Sequence, residues 1–286
     1  MTSTYLYCFA SPACVPLVSQ MSGQDGVGGA GVAPLRALEC GGVVAVITDV
    51  DACEFNETNL QSLEWIGPRA YHHADVVKAI MSVSAVLPVK FGTLFESTAS
   101  VTQLLAQYRA VIAARLEQLR GTSEWTVKGH VDEGWAHGHA RAVNPALAAR
   151  MAALSSASPG TRYLQEKQLA GLLNAALREW VEQQAGHIGV ALQPHVVESA
   201  EVRLLPSNRS GDSGHVAFDR NFLVADAALP AFRAAFADLR KREQAVGLML
   251  ELKGPWPPYH FCPDVMAHNA DVNDGCSLSR PLGKEE

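Results

Sequence analysis

Apolar positions along this chain fall into runs of two different periods, and those periods predict its elements. Tyr5 to Phe9 is a short aromatic strand. Val43 to Val50 is a β-branched run, apolar enough on both faces to sit centrally in a sheet. Between them, the Ser-, Pro- and Gly-rich stretch from Ser11 to Ala33 predicts an irregular connection. Thr58 or Asn59 is placed to cap a short helix, and Pro68, at a first-turn position, opens a longer one through Ala70, Val76, Val77 and Ile80. Leu87 to Phe95 is extended around Pro88, because the residue before a proline avoids the α region. Val101, Leu104, Leu105, Tyr108, Ile112, Leu116 and Leu119 mark one face of a helix that Gly121 stops.

A second unit starts near Glu124. Trp125 to Val131 reads as a strand, Pro145 to Leu154 and Tyr163 to Gln184 as helices, and Val196 to Leu205 as an alternating strand. Val216 to Val224 is a further strand, Leu229 to Arg242 an amphipathic helix with Phe232, Phe236 and Leu239 on one side, and Val246 to Leu252 a closing strand. The order β, helices, β, β, α, β is that of a split βαβ, ferredoxin-like layout with an extra helical insertion. The expected organisation is α+β, with an N-terminal α+β domain over 1–122, a ferredoxin-like domain over 123–262 and a polar tail over 263–286.

Charge narrows the partners. Lys plus Arg number 23 against 29 Asp plus Glu, a net charge of −6, which argues against nucleic acid as a partner. Charged residues are 18% of the chain, below the typical ~25%, so part of the surface is expected to be covered by another protein. No apolar run reaches membrane-span length. The first basic residue is Arg36, so no signal peptide is expected. Six scattered cysteines without a CxxC pair read as reduced thiols of a cytoplasmic protein.

Candidate chemistry is sparse. Gly26 to Gly31 spells GxGxxG, but the preceding strand ends near Phe9 and no crossover helix fits before Val43, so a surface loop is expected there rather than a dinucleotide site. Gly211-Asp212-Ser213-Gly214 resembles a serine-protease nucleophile segment, yet it sits in a polar turn. His130, His137 and His139 form the best metal-ligand pattern, weakened by a Gly-rich setting with no distant ligand at a familiar spacing. His72 and His73, near a helix start, suit packing better than acid–base work. No cofactor is expected. The most unusual segment is Lys253 to Phe261, where three prolines stiffen an extended strap. Its Trp256, Tyr259 and Phe261 either pin the strap across the protein or contact a partner.

That segment, Gly254-Pro255-Trp256-Pro257-Pro258-Tyr259-His260-Phe261, resembles the C-terminal signature of the gas vesicle GvpF/GvpL family. Tyr5-Leu6-Tyr7, Gly42 to Val50, Leu63-Glu64-Trp65 through His73 to Val76, and Val86 to Phe95 are similar to the family in the same order. So are Gly121 to Lys128, Tyr163-Leu164 and Asn221 to Val224, and the likeness spans about residues 4–261. Lys90 departs from the Arg more frequent there, and residues 22–31 and the tail have no counterpart. The resemblance implies two α+β domains, the second a modified ferredoxin-like fold. It also implies a non-enzymatic accessory or minor structural protein of gas vesicles that contacts the hydrophobic shell protein GvpA. The competing expectation is a small-molecule or metal-binding enzyme using the His130–His139 region or an interdomain cleft.

Overall fold

The computed structural model describes residues 2–21, 33–131, 138, 159–204 and 215–262. The chain divides into two compact units: residues up to Arg120 together with the chain from Pro257, and Gly121–Trp256. The strap beyond Trp256 thus groups with the first unit, whereas the sequence reading ends the second domain at 262.

The first unit is built on an antiparallel sheet of β1 (Thr2–Ala10), β2 (Arg36–Cys40), β3 (Val43–Asp51), β4 (Val86–Pro88) and β5 (Leu94–Phe95). Its order is β2-β3-β1, with β4 and β5 both pairing along the far edge of β1. Gly41 and Gly42, at φ 55° and 84°, make the two-residue turn between β2 and β3; positive φ at both positions matches the strand twist and suits glycine. Helices α1 (Val15–Met21) and α3 (Leu63–Met81) bring Val18, Val76, Val77 and Ile80 into one core with Tyr5, Tyr7, Val44 and Val46. The alternate positions Val43, Ala45 and Ile47 are equally buried, and α4 (Thr98–Gln118) packs against β1 to β5 with Val101, Leu104, Leu105, Ile112 and Leu116 turned inward. The sheet is therefore covered on both faces.

Two expectations change here. The stretch from Ser11 is not all irregular: Pro12 opens a 3-10 turn and α1 follows directly, because proline fits the first turn of a helix. The long helix starts at Leu63, five residues before Pro68. Ser62 caps it by accepting from the Trp65 N–H at 3.4 Å, and Asn56 rather than Thr58 or Asn59 caps the short α2 (Glu57–Gln61).

The second unit holds β6 (Thr122–Val131), β7 (Glu198–Ser199), β8 (Arg203–Leu204), β9 (His215–Ala225) and β10 (Leu248–Trp256), all antiparallel. Its order is β10-β6-β9, with β7 and β8 sharing the outer edge of β9. Helices α5 (Pro159–Leu192) and α6 (Leu229–Gln244) give Val181, Ala185, Ile188, Leu192, Phe232, Phe236 and Leu239 to a core with Trp125, Val127, Phe218, Phe222, Val224 and Leu250. This is the ferredoxin-like order. The strand expected over Val196 to Leu205 is split by a one-residue bulge: Ala200 still donates its N–H to the Asn221 carbonyl of β9 at 2.9 Å, but pairing resumes only at Arg203, and Arg220 reaches into the gap, donating from Nε to the Ala200 carbonyl at 3.2 Å and from Nη2 to Ser199 Oγ at 3.1 Å. Gly189 makes room for that guanidinium, since a Cβ there would lie 1.7 Å from Nη1. The helix expected at Pro145 to Leu154 lies outside the described residues, as do Gly26 to Gly31, Gly211 to Gly214 and the tail from 263.

Candidate functional site

The strap begins inside β10. Gly254 has φ 145°, and a Cβ on it would meet the Glu124 carbonyl oxygen and the Trp125 ring at 2.9 Å, so only glycine fits. The Gly254–Pro255 peptide is cis, and the ladder to β6 slips between Lys253 and Trp256 before Trp256 pairs with Glu124. Pro257 and Pro258 are buried, and Tyr259–Phe261 closes in one 3-10 turn. The Phe261 carbonyl accepts from Arg115 of α4 through both Nε, at 3.0 Å, and Nη2.

These contacts sort the three aromatic candidates. Phe261 is 3% exposed and anchors the strap, while Trp256 is 41% exposed and Tyr259 36%. The inner edge of Tyr259 lies 6.4 Å, centroid to centroid, from the imidazole of His73.

His73 is the centre of a buried aromatic cluster. Its Nδ1 is 2.8 Å from the Tyr5 hydroxyl, which accepts from the Gly92 N–H at 3.2 Å; the geometry assigns the Tyr5 proton to His73 Nδ1. Tyr7 stacks on the imidazole at 5.5 Å, and Phe91 stands edge-on to it at 6.1 Å. Phe55 joins Tyr5 to Trp65, whose face carries the Arg69 guanidinium at 4.2 Å. Burial pushes the His73 pKa down to about 4 and the neighbouring His72 adds to the shift, against a smaller opposing effect of the Val89 backbone. Burial likewise raises the Tyr5 hydroxyl. At neutral pH the pair is an uncharged hydrogen bond between rings, which is a packing role. His73 thus fits the packing expectation.

Of the three metal candidates, His130 alone lies among the described residues. His130 lies on β6 with Nε2 3.5 Å from Glu251 Oε2, and His137 and His139 lie outside the described residues. Among the described residues no group of three His, Cys, Asp or Glu side chains is arranged to hold a metal. No described helix is long and apolar enough to cross a membrane. Sequence reasoning missed Arg115 and the link from Tyr5 and Phe91 to His73. The available signal was that these residues stand in the segments quoted above for the family likeness, or next to them on an apolar helix face.

The fold and this site define an α+β protein of two units with ferredoxin-like strand order and an aromatic strap. The family described as gas vesicle synthesis protein GvpL/GvpF matches residues 3–263, and the chain belongs to it. Gas vesicle protein L of Streptomyces sp. (strain CB03234) is 29% identical over 245 residues, covering 83% of this chain and 86% of that one. Gas vesicle protein F of the same strain is 28% identical over 262 residues, covering 91% and 99%. The crystal structure of GvpF from Anabaena sp. PCC7120 shares the fold with a TM-score of 0.67 at 17% identity, covering 92% of this chain and 99% of that one. That of GvpF from Microcystis aeruginosa gives 0.58 at 17%, covering 91% and 98%. The chain is accordingly a protein of gas vesicle formation.

Proposed function

We propose that this chain is a non-catalytic, cytoplasmic accessory or minor structural protein that binds the hydrophobic shell protein GvpA through Trp256 and Tyr259. It keeps GvpA competent for assembly or joins the vesicle wall with it. The observation that carries this reading is exposure next to fixed backbone: Trp256, two residues beyond the glycine-only position 254, is 41% exposed, and Tyr259, in the turn held by the Arg115–Phe261 contact, is 36% exposed. A rigid aromatic loses little conformational entropy on binding, and burying one removes roughly 150–250 Å² of apolar surface from water. A shell subunit with exposed apolar faces is aggregation-prone before assembly and offers a matching surface.

The test is co-expression with GvpA followed by size-exclusion chromatography. Trp256→Ala and Tyr259→Ala are expected to lower co-elution about tenfold each, the effect of losing an aromatic contact worth ~1.4 kcal/mol or more; the melting temperature is expected to hold for Trp256→Ala and to fall slightly for Tyr259→Ala, whose ring also packs beside His73. Phe261→Ala is expected to lower the melting temperature first. Co-elution indifferent to both exposed-ring changes sinks the strap as the contact.

A further inference from the structure

The turn that follows Trp256 supplies much of its own backbone hydrogen bonding. Pro257 and Pro258 are buried and carry no N–H, so their burial strands no donor. Their carbonyls accept within the turn: Pro257 from the Tyr259 N–H at 2.8 Å, and Pro258 from the Phe261 N–H at 3.1 Å. The Cys262 thiol also donates to the Pro258 carbonyl, at 2.9 Å. The Phe261 carbonyl instead takes its donors from Arg115, 146 positions earlier, through Nε at 3.0 Å and through Nη2. Gln118 Oε1 accepts from Nη1 of the same guanidinium at 2.9 Å, which fixes the fork on α4. Phe261 is 3% exposed, the Tyr259 ring lies 6.4 Å from that of His73, and His260 is exposed. The turn thus buries two prolines and a phenylalanine and offers one carbonyl to a cation.

We propose that the first unit carries a binding site for a Pro-Pro-Tyr-x-Phe segment, filled in this chain by its own residues 257–261, with Arg115 as the residue that retains the segment. Three observations converge on it. The segment groups with the first unit although the whole of Gly121–Trp256 lies between them in the chain, so it stands to that unit as a tethered ligand. Its internal hydrogen bonds and the fixed φ of two prolines lower the entropy lost on docking. Two nitrogens of a rigid guanidinium converge on one carbonyl, an arrangement that the single ammonium of lysine does not reproduce. Such a site is independent of any contact with a shell protein, because its ligand is a short proline-aromatic peptide. The tether holds the segment at an effective concentration on the order of millimolar, so free peptide competes for the site only when the chain's own segment is weakened.

A fluorescently labelled peptide with the sequence of residues 254–262, titrated by anisotropy against the full chain, tests the site. Phe261→Ala removes the buried ring from the chain's own segment, and that chain is expected to bind the peptide at least about tenfold tighter than the unaltered chain does. A second peptide with alanine in place of the phenylalanine is expected not to bind. Arg115→Lys added to Phe261→Ala is expected to weaken peptide binding about tenfold. A folded Phe261→Ala chain that ignores the peptide overturns the site, as does an unaltered chain that binds it equally well. Undiminished binding with Arg115→Lys overturns the role of Arg115. Should Phe261→Ala prevent folding, hydrogen exchange on the unaltered chain and on Arg115→Lys alone decides. The Phe261 amide is then expected to exchange about tenfold faster in Arg115→Lys, while amides of β1 and α4 hold their rates. Unchanged exchange, or faster exchange throughout the first unit, overturns a separable site.

Discussion

The two units share one strand order and differ in how their sheets are covered. In chain order each runs strand, helix, edge strand, strand, helix, strand, and each pairs its strands in the spatial order fourth, first, third, second. In the first unit α1 and α3 cover one face and α4 the other, and β1 and β3 are buried at nearly every position. In the second unit α5 and α6 cover one face, and β6 alternates from Trp125 to Val131 between buried and half-buried residues. One topology thus accepts either a continuous apolar run or a strict alternation, and the number of packed faces decides which. Continuous runs mark a sheet packed on both faces, whereas alternation marks one that, among the described residues, is packed by helices on a single face.

The largest test of that contrast compares Phe9→Ala, on the doubly covered β1, with Lys128→Ala, on the outward side of β6. Phe9 is 1% exposed, so its truncation is expected to cost about 3–5 kcal/mol in denaturant unfolding, against about 0.5 kcal/mol or less for Lys128. Equal effects would dissolve the distinction between the sheets. A smaller effect comes from His73 in the first unit's core. Its folded pKa of about 4 lies below the ordinary 6.5, so the unfolded chain takes up the proton first and stability falls as pH drops through that window. The full loss is roughly 3 kcal/mol, from 1.36 kcal/mol per pKa unit, and unfolding midpoints measured from pH 7 to 4 would trace it. His73→Gln should flatten that slope. The smallest effect belongs to Glu117→Gln at the end of α4. It breaks an ion pair with Arg120 whose side chains are 66% and 69% exposed, and the midpoint should move by about 0.5 kcal/mol or less.

Much of the second unit was legible, because alternation in Trp125 to Val131 and the Phe232, Phe236, Leu239 stripe report a single core directly. The helix α4 was legible for the same reason: Val101, Leu104, Leu105, Ile112 and Leu116 hold one face and are buried. The repetition of the strand order in the first unit was not. Arg36 to Cys40 has no apolar alternation, since β2 is an edge strand whose five residues are only partly buried and held by the ladder to β3, and proline and serine around α1 read as loop. Trp256 and Tyr259 stood out by composition alone. Arg115 did not, because its partner is a backbone carbonyl 146 positions away, and a carbonyl leaves no mark in the sequence.

That long reach has a consequence for the birth of the protein. The first unit is closed by residues that follow the second unit in the chain: Phe261 sits against Arg115, and Tyr259 beside His73. On the ribosome, residues up to Arg120 emerge long before the segment that completes them, and the whole of Gly121–Trp256 is synthesised in between. The early unit therefore waits, unfinished, until the segment beyond Trp256 has been made. Any nascent chain cut short before Phe261 carries a first unit without its clasp, and limited proteolysis of such a truncated chain is expected to cut the first unit faster than in the full chain.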